Sequence, residues 1–195
     1  MQEIIIEFTD LISTIQYHMP LLLGIITVLW MVHILNWLTG YRLNHLGVKP
    51  RRMAGLPGIV FSPFLHGDTN HIFLNSIPLF ILMSFVILQG LAIFICVLIS
   101  ISLLSGCLTW LLGRPAIHVG ASDVIMGLWG YLLMNAFAQG TLLAIALALV
   151  CLFYFGSFFL DLVPGEKGVS WEGHLFGFAA GLMTSYICPF LTGIV

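Results

Sequence analysis

Apolar residues run along this chain in long blocks, with polar positions gathered at the block ends. Six blocks approach the roughly 20 mostly apolar residues that a bilayer-spanning helix requires: residues 20–38, 70–88, 91–112, 122–138, 141–160 and 171–191. Gln89-Gly90 is all that separates the second block from the third, and Gln139-Gly140 separates the fourth from the fifth. Such short hinges predict antiparallel helical hairpins. The one long connection, residues 39–69, mixes basic residues, glycines and prolines with apolar patches. That mixture predicts a loop lying on the membrane interface. No internal repeat is visible. The pattern predicts an all-α polytopic membrane protein, a six-helix bundle forming a single domain over residues 1–195.

Composition agrees. The 195 residues are 60% hydrophobic and 7% charged, against about 25% charged in soluble domains. The N-terminus "MQEIIIEFTD" is acidic and lacks a basic n-region, so it does not read as a cleavable signal peptide. Cys96, Cys107, Cys151 and Cys188 all fall in or beside apolar blocks. The expectation for each is structural burial rather than a disulfide or metal ligation. The net charge of −2 discriminates little among partners.

Polar groups inside a membrane are costly, and each is a functional hypothesis. The second block opens "HGDTNHIFLN", with His71 and Asn75 four apart on one helix face. The fourth opens Gly120-Ala121-Ser122, and the sixth, "WEGHLFGFAAG", carries His174 about one turn inside its start. Helices alternate in direction, so the starts of the second, fourth and sixth share one membrane surface. Ser122, His174, His71 and Asn75 can therefore converge just below it.

Their chemistry is complementary. A serine hydroxyl becomes a nucleophile when a base such as His174 takes its proton. The oxyanion that then develops needs donors. His71, Asn75 and the Ser122 N–H at a helix N-terminus can supply them. Gly120 and Ala121 would let a substrate backbone approach. Gly173, Gly177 and Gly181 form a small-xxx-small ladder for close helix packing. Each feature also has a plainer role: an intramembrane serine bonded to its own helix, a histidine or asparagine clasping two helices, a glycine stripe that only packs.

Taken together, these residues resemble the rhomboid intramembrane serine proteases over about residues 45–185. "SPFLHGDTNHIFLN" is similar to the family's second-helix motif, "HVGASD" to its Gly-x-Ser nucleophile motif, and "EGHLFGFAAG" to its His-x-x-Gly-x-x-x-Gly motif. The loop "LGVKPRRMAGLPGIVFSPFLHG" is similar to the first loop of a bacterial subgroup. The resemblance implies Ser122 as nucleophile, His174 as general base, and His71 and Asn75 as oxyanion-hole side chains. It implies a structural role for His66, and a dyad with no third acid. It further implies transmembrane protein substrates, a lipid environment, and no cofactor, metal or nucleic-acid partner.

The chain departs from the family at three places. Asp123 stands where glycine usually follows the nucleophile, and Met126 stands where an aromatic residue often faces the catalytic histidine. The Trp-Arg pair of many first loops is missing, Arg51 and Arg52 notwithstanding. Adjacent helical residues point about 100° apart, so Asp123 is expected to turn away from the Ser122 face as a first-turn residue at the positive end of the helix dipole. An inactive rhomboid-like protein that binds membrane helices is the alternative. A transport or cofactor-binding protein using His71 and His174 is a third reading, against which the chain has no His-Glu-x-x-His pattern.

Orientation sets two rules against each other. The resemblance implies an active-site surface outside the cytoplasm, in a bacterial inner membrane, with both termini inside. Yet Arg42, Lys49, Arg51, Arg52, Arg114 and Lys167, all the Lys and Arg of the chain, lie on the active-site side. The positive-inside rule would make that side cytoplasmic. The family orientation is taken as the expectation.

Overall fold

The computed structural model describes residues 2–162 and 170–192. Its helices run α1 (Gln2–Leu38), a one-turn α2 (Gly58–Phe61) within the long loop, α3 (Thr69–Val86), α4 (Leu91–Leu112), α5 (Ser122–Gln139), α6 (Leu142–Phe155) and α7 (Trp171–Thr192). All but α2 correspond to the six apolar blocks. Two bounds differ from the sequence pattern. Helix α1 begins at Gln2, so its first turns include polar residues outside the apolar block. The fifth block is α-helical only to Phe155 and then tightens into a 3-10 segment, Gly156–Leu162.

Helix α5 is the axis of the bundle. Every residue from 124 to 132 is buried. A helix so enclosed by protein is shielded from lipid, which is why it tolerates Asp123 and Asn135, polar groups that a lipid-facing helix would not. By contrast, α1, α3 and α4 each supply a stretch long and apolar enough to cross a bilayer.

The α5–α7 contact is main chain on main chain. A methyl group added to Gly177 would collide with the carbonyl of Asp123, and one on Gly181 with the carbonyl of Gly127. From the other side, a methyl on Gly130 would come within 2.7 Å of the Phe178 carbonyl oxygen. Gly173 takes no part in this seam, since its nearest neighbour is the Ser170 hydroxyl, at 3.3 Å. The expected three-glycine ladder is thus a two-glycine contact answered by glycines of α5. Trp129 and Phe178 stack beside it, ring centroids 5.3 Å apart.

Helices α4 and α7 are joined by a disulfide between Cys96 and Cys188. This corrects the expectation of plain burial for those two cysteines. Cys151 is a buried free thiol, as expected, whereas Cys107 is exposed.

The long loop is folded rather than merely draped on the interface. Buried Asn36 at the end of α1 receives the Leu43 N–H at 3.0 Å and donates to Asn44 at 2.8 Å. Val48 and His118 exchange main-chain hydrogen bonds of 3.0 and 2.9 Å. Trp110 Nε1 donates to the Arg52 carbonyl at 2.9 Å, pinning the loop to the end of α4. At the opposite surface, Gly90 turns the α3–α4 hinge with φ of +103°. There the Tyr131 hydroxyl donates to Gln89 at 2.7 Å.

Candidate active site

Ser122 is the first residue of α5. Its N–H belongs to the helix-initial set that has no intrahelical acceptor. The approach to it is fixed from the first loop: Gly120 N–H donates to the Ser62 carbonyl at 3.0 Å, and Ala121 N–H to His66 Nε2 at 3.4 Å. His66 is fully buried. Burial first, then the neighbouring His71 and His33, push its imidazole down to about 3, so it stays neutral and keeps Nε2 as an acceptor. Gly120 holds φ of +130°, a conformation that other residues rarely adopt. A methyl group there would lie 2.8 Å from His71 Cε1 and 3.7 Å from Ser122 Oγ. The space over Gly120 is therefore taken by the His71 ring. The expected room for a substrate backbone at that point is absent, and glycine is required to seat the imidazole.

His71 and Asn75 lie in the first two turns of α3, which Asp68 caps by accepting the His71 N–H at 2.8 Å. Asn75 is 9% exposed. Its Nδ2 is buried without a hydrogen-bond partner. An unpaired buried amide donor costs about 1–3 kcal/mol, so its presence needs a reason.

His174 sits in the first turn of α7, its N–H donating to the Ser170 carbonyl at 3.3 Å. Ser170 is the capping residue, its hydroxyl accepting the Gly173 N–H at 3.4 Å. That hydroxyl also lies 2.6 Å from His118 Nδ1. The other ring nitrogen of His118 is 3.1 Å from the Arg114 carbonyl, which can only accept. Nε2 thus carries the proton, and Nδ1 accepts from Ser170. This link ties the segment before Ser122 to the turn that carries His174. Sequence reasoning missed both residues. Ser170 was discoverable as a serine just before an apolar run, a helix-start signal. His118 had no signal, because its partner is 52 positions away. Also unanticipated is Glu172, a buried carboxylate two residues before His174, which pairs with Arg114 at 3.5 Å.

One cavity of about 680 Å³ gathers these groups. Its lining includes Ser122, His174, His71 and Asn75, with Met126 and Ser170. The Asp123 carboxylate is engaged elsewhere: Ser105 Oγ of α4 donates to it at 3.1 Å and the Val124 N–H at 2.8 Å. Among the described residues, no group of three His, Cys, Asp or Glu is arranged to hold a metal ion. Chemically, the cavity offers a hydroxyl at a helix N-terminus, an imidazole from another helix, and donors from a third.

Known proteins give an independent finding. A family model described as Rhomboid domain matches residues 54–189. An uncharacterized protein of Mycobacterium tuberculosis (strain H37Rv) is 35% identical over 175 residues, covering 85% of this chain and 73% of that protein. One from Mycobacterium bovis has the same identity and coverage. An uncharacterized protein of Mycobacterium leprae is 33% identical, covering 85% of this chain and 69% of its own.

Proposed function

The chain belongs to the rhomboid family, and from that premise we propose that it is an intramembrane serine endopeptidase that cuts transmembrane segments of other membrane proteins. Ser122 gives its proton to His174 as its oxygen attacks the scissile carbonyl. The tetrahedral oxyanion is received by Asn75 Nδ2, His71 and the Ser122 N–H. Collapse breaks the C–N bond, and the proton on His174 passes to the leaving amine. Water, deprotonated by His174, then releases the acyl group and restores the serine. The observation that carries this reading is the unpaired Asn75 Nδ2, buried in the lining of the cavity that also holds Ser122 and His174. A preorganised donor left unsatisfied in the resting protein is what transition-state stabilisation requires.

A second reading, a rhomboid-like protein that binds membrane helices without cutting them, rests on Asp123 in the place of the usual glycine. A fluorophosphonate probe decides between the two. Under the protease reading it labels the wild type in proteoliposomes and does not label Ser122→Ala, while cleavage of a model transmembrane substrate is lost in Ser122→Ala and His174→Ala alike. The double variant is no worse than either single, because groups acting as one unit are strongly non-additive. Unlabelled wild type with intact substrate binding would establish the second reading. The proposal includes residence in the bacterial cell membrane, with the cavity opening on the extracytoplasmic side.

A further inference from the structure

A second cavity, also of about 680 Å³, lies on the other side of the Ser122 turn. Gly24 and Val28 of α1 form one wall, Ile99 and Leu103 of α4 another, and Ala121, just before α5, with Val124 of α5 the inner face. Ser102 supplies its only polar side chain among the described residues. The rim is continuous with the lipid-facing surface, since Leu21, Val28, Ile99 and Leu103 are all exposed apolar residues. None of the four residues assigned to proteolysis lines it.

We propose that this groove binds an acyl chain of a bilayer phospholipid, seated between α1 and α4 against the residues that flank the nucleophile. Water is a poor occupant, because an apolar lining offers it almost no hydrogen bonds. A slender, flexible hydrocarbon suits both the shape and the lining, and the open rim faces the bilayer that supplies it. Bound there, the chain packs against Ala121 and Val124, which flank Ser122 but do not line the catalytic cavity.

The test uses the full chain in phosphatidylcholine vesicles doped with a phospholipid carrying a diazirine midway along one acyl chain. After irradiation, adducts are mapped by mass spectrometry. They are expected to concentrate on the α1 and α4 peptides bearing Gly24, Val28, Ile99 and Leu103, above those on lipid-facing Leu149 and Phe153 of α6. A methyl group at Gly24 meets nothing within 4 Å, so the side chain of Gly24→Phe starts in open space; the variant is expected to fill the groove and abolish the groove adducts while those on α6 persist. Ile99→Trp serves as a second filling variant, from the opposite wall. Equal labelling of groove and α6, or groove adducts that survive both substitutions, overturns the proposal. So does a Gly24→Cys chain that forms covalent dimers on oxidation beyond those of the unsubstituted chain, which would put a second copy in the groove. The labelling needs no turnover, so its outcome is independent of the protease assignment.

Discussion

Asn75 carries more of the functional reading than any other side chain, because its Nδ2 is the one buried polar atom without a partner among the described residues of the cavity lining. Asn75→Ala should lower kcat about 10- to 1,000-fold without abolishing it, since one oxyanion donor is worth about 2–4 kcal/mol. His71→Ala should behave similarly. Steady-state cleavage of a model substrate checks this, and unchanged turnover in both variants would mean that the oxyanion is held elsewhere. Asp123 poses the opposite case. Its carboxylate accepts from Ser105 and Val124, so Asp123→Gly loses a charged hydrogen bond of about 1.5–3 kcal/mol and gains a flexible first turn. The expected outcome is a lower melting temperature with turnover kept or raised. Turnover that collapses at an unchanged melting temperature would make Asp123 part of the machinery. At this scale the residue types and their spacing pointed to Ser122, His174, His71 and Asn75 as candidates, and the four line one cavity. What they hid were the partners: Ser105, Ser170 and His118 act across distant parts of the chain, and no local pattern marks such contacts. The space over Gly120 was misjudged for the same reason, since a ring from α3 occupies it.

Helices were legible in the apolar blocks because a spanning helix must be apolar over its lipid-exposed length. Their ends were less so. Helix α1 runs into polar sequence, where the hydrophobic pattern has nothing to say, and the fifth block changes to 3-10 geometry without leaving its apolar run. The small-residue ladder of α7 was visible, but which glycines touch α5 depends on the rotation of two helices about their axes. The Cys96–Cys188 link was hidden likewise, its partners 92 residues apart. The two halves of the ladder give a paired prediction. Gly177→Ala drives a methyl into the backbone of Asp123, next to Ser122. Overpacking costs about 1–3 kcal/mol where side chains can yield, and a carbonyl yields less. Loss of both thermal stability and cleavage is expected. Among the described residues, Gly173→Ala meets only the Ser170 side chain, its hydroxyl at 3.3 Å, and should leave the melting temperature nearly unchanged. Equal melting temperatures for the two variants would remove the α5–α7 seam as the element that brings His174 toward Ser122.

For the molecule as a whole, alternation of six helices was enough to put three polar helix starts on one surface, and they do line one cavity. The folded first loop was not foreseeable, because its short 3-10 turns and the Val48–His118 pairing depend on tertiary contacts rather than on periodicity. That loop also bears on orientation. The positive-inside rule counts cations in short loops on the premise that they act as topogenic charge. Here some have structural work that would keep them on whichever side the loop lies. Arg51 Nη1 donates to the Leu111 carbonyl at 3.1 Å, at the end of α4 where a cation complements the helix dipole. Arg114 pairs with Glu172 beside the turn of His174. With those two accounted for by the fold, the cation bias of the cavity face is weaker than the bare count, which lessens the conflict with the proposed extracytoplasmic opening. An accessibility experiment follows, in a chain whose exposed Cys107 is replaced by serine. Met53→Cys, in the first loop and 75% exposed, should react with a membrane-impermeant maleimide in intact cells. Leu142→Cys, just past the α5–α6 hinge and 85% exposed, should react only after permeabilisation. The reverse pattern would put the cavity mouth in the cytoplasm. Arg42, Lys49 and Arg52, with Lys167 outside the described residues, would then be the charges that hold it there, and the substrates to seek would be those whose cleavage sites lie at the inner face of the membrane.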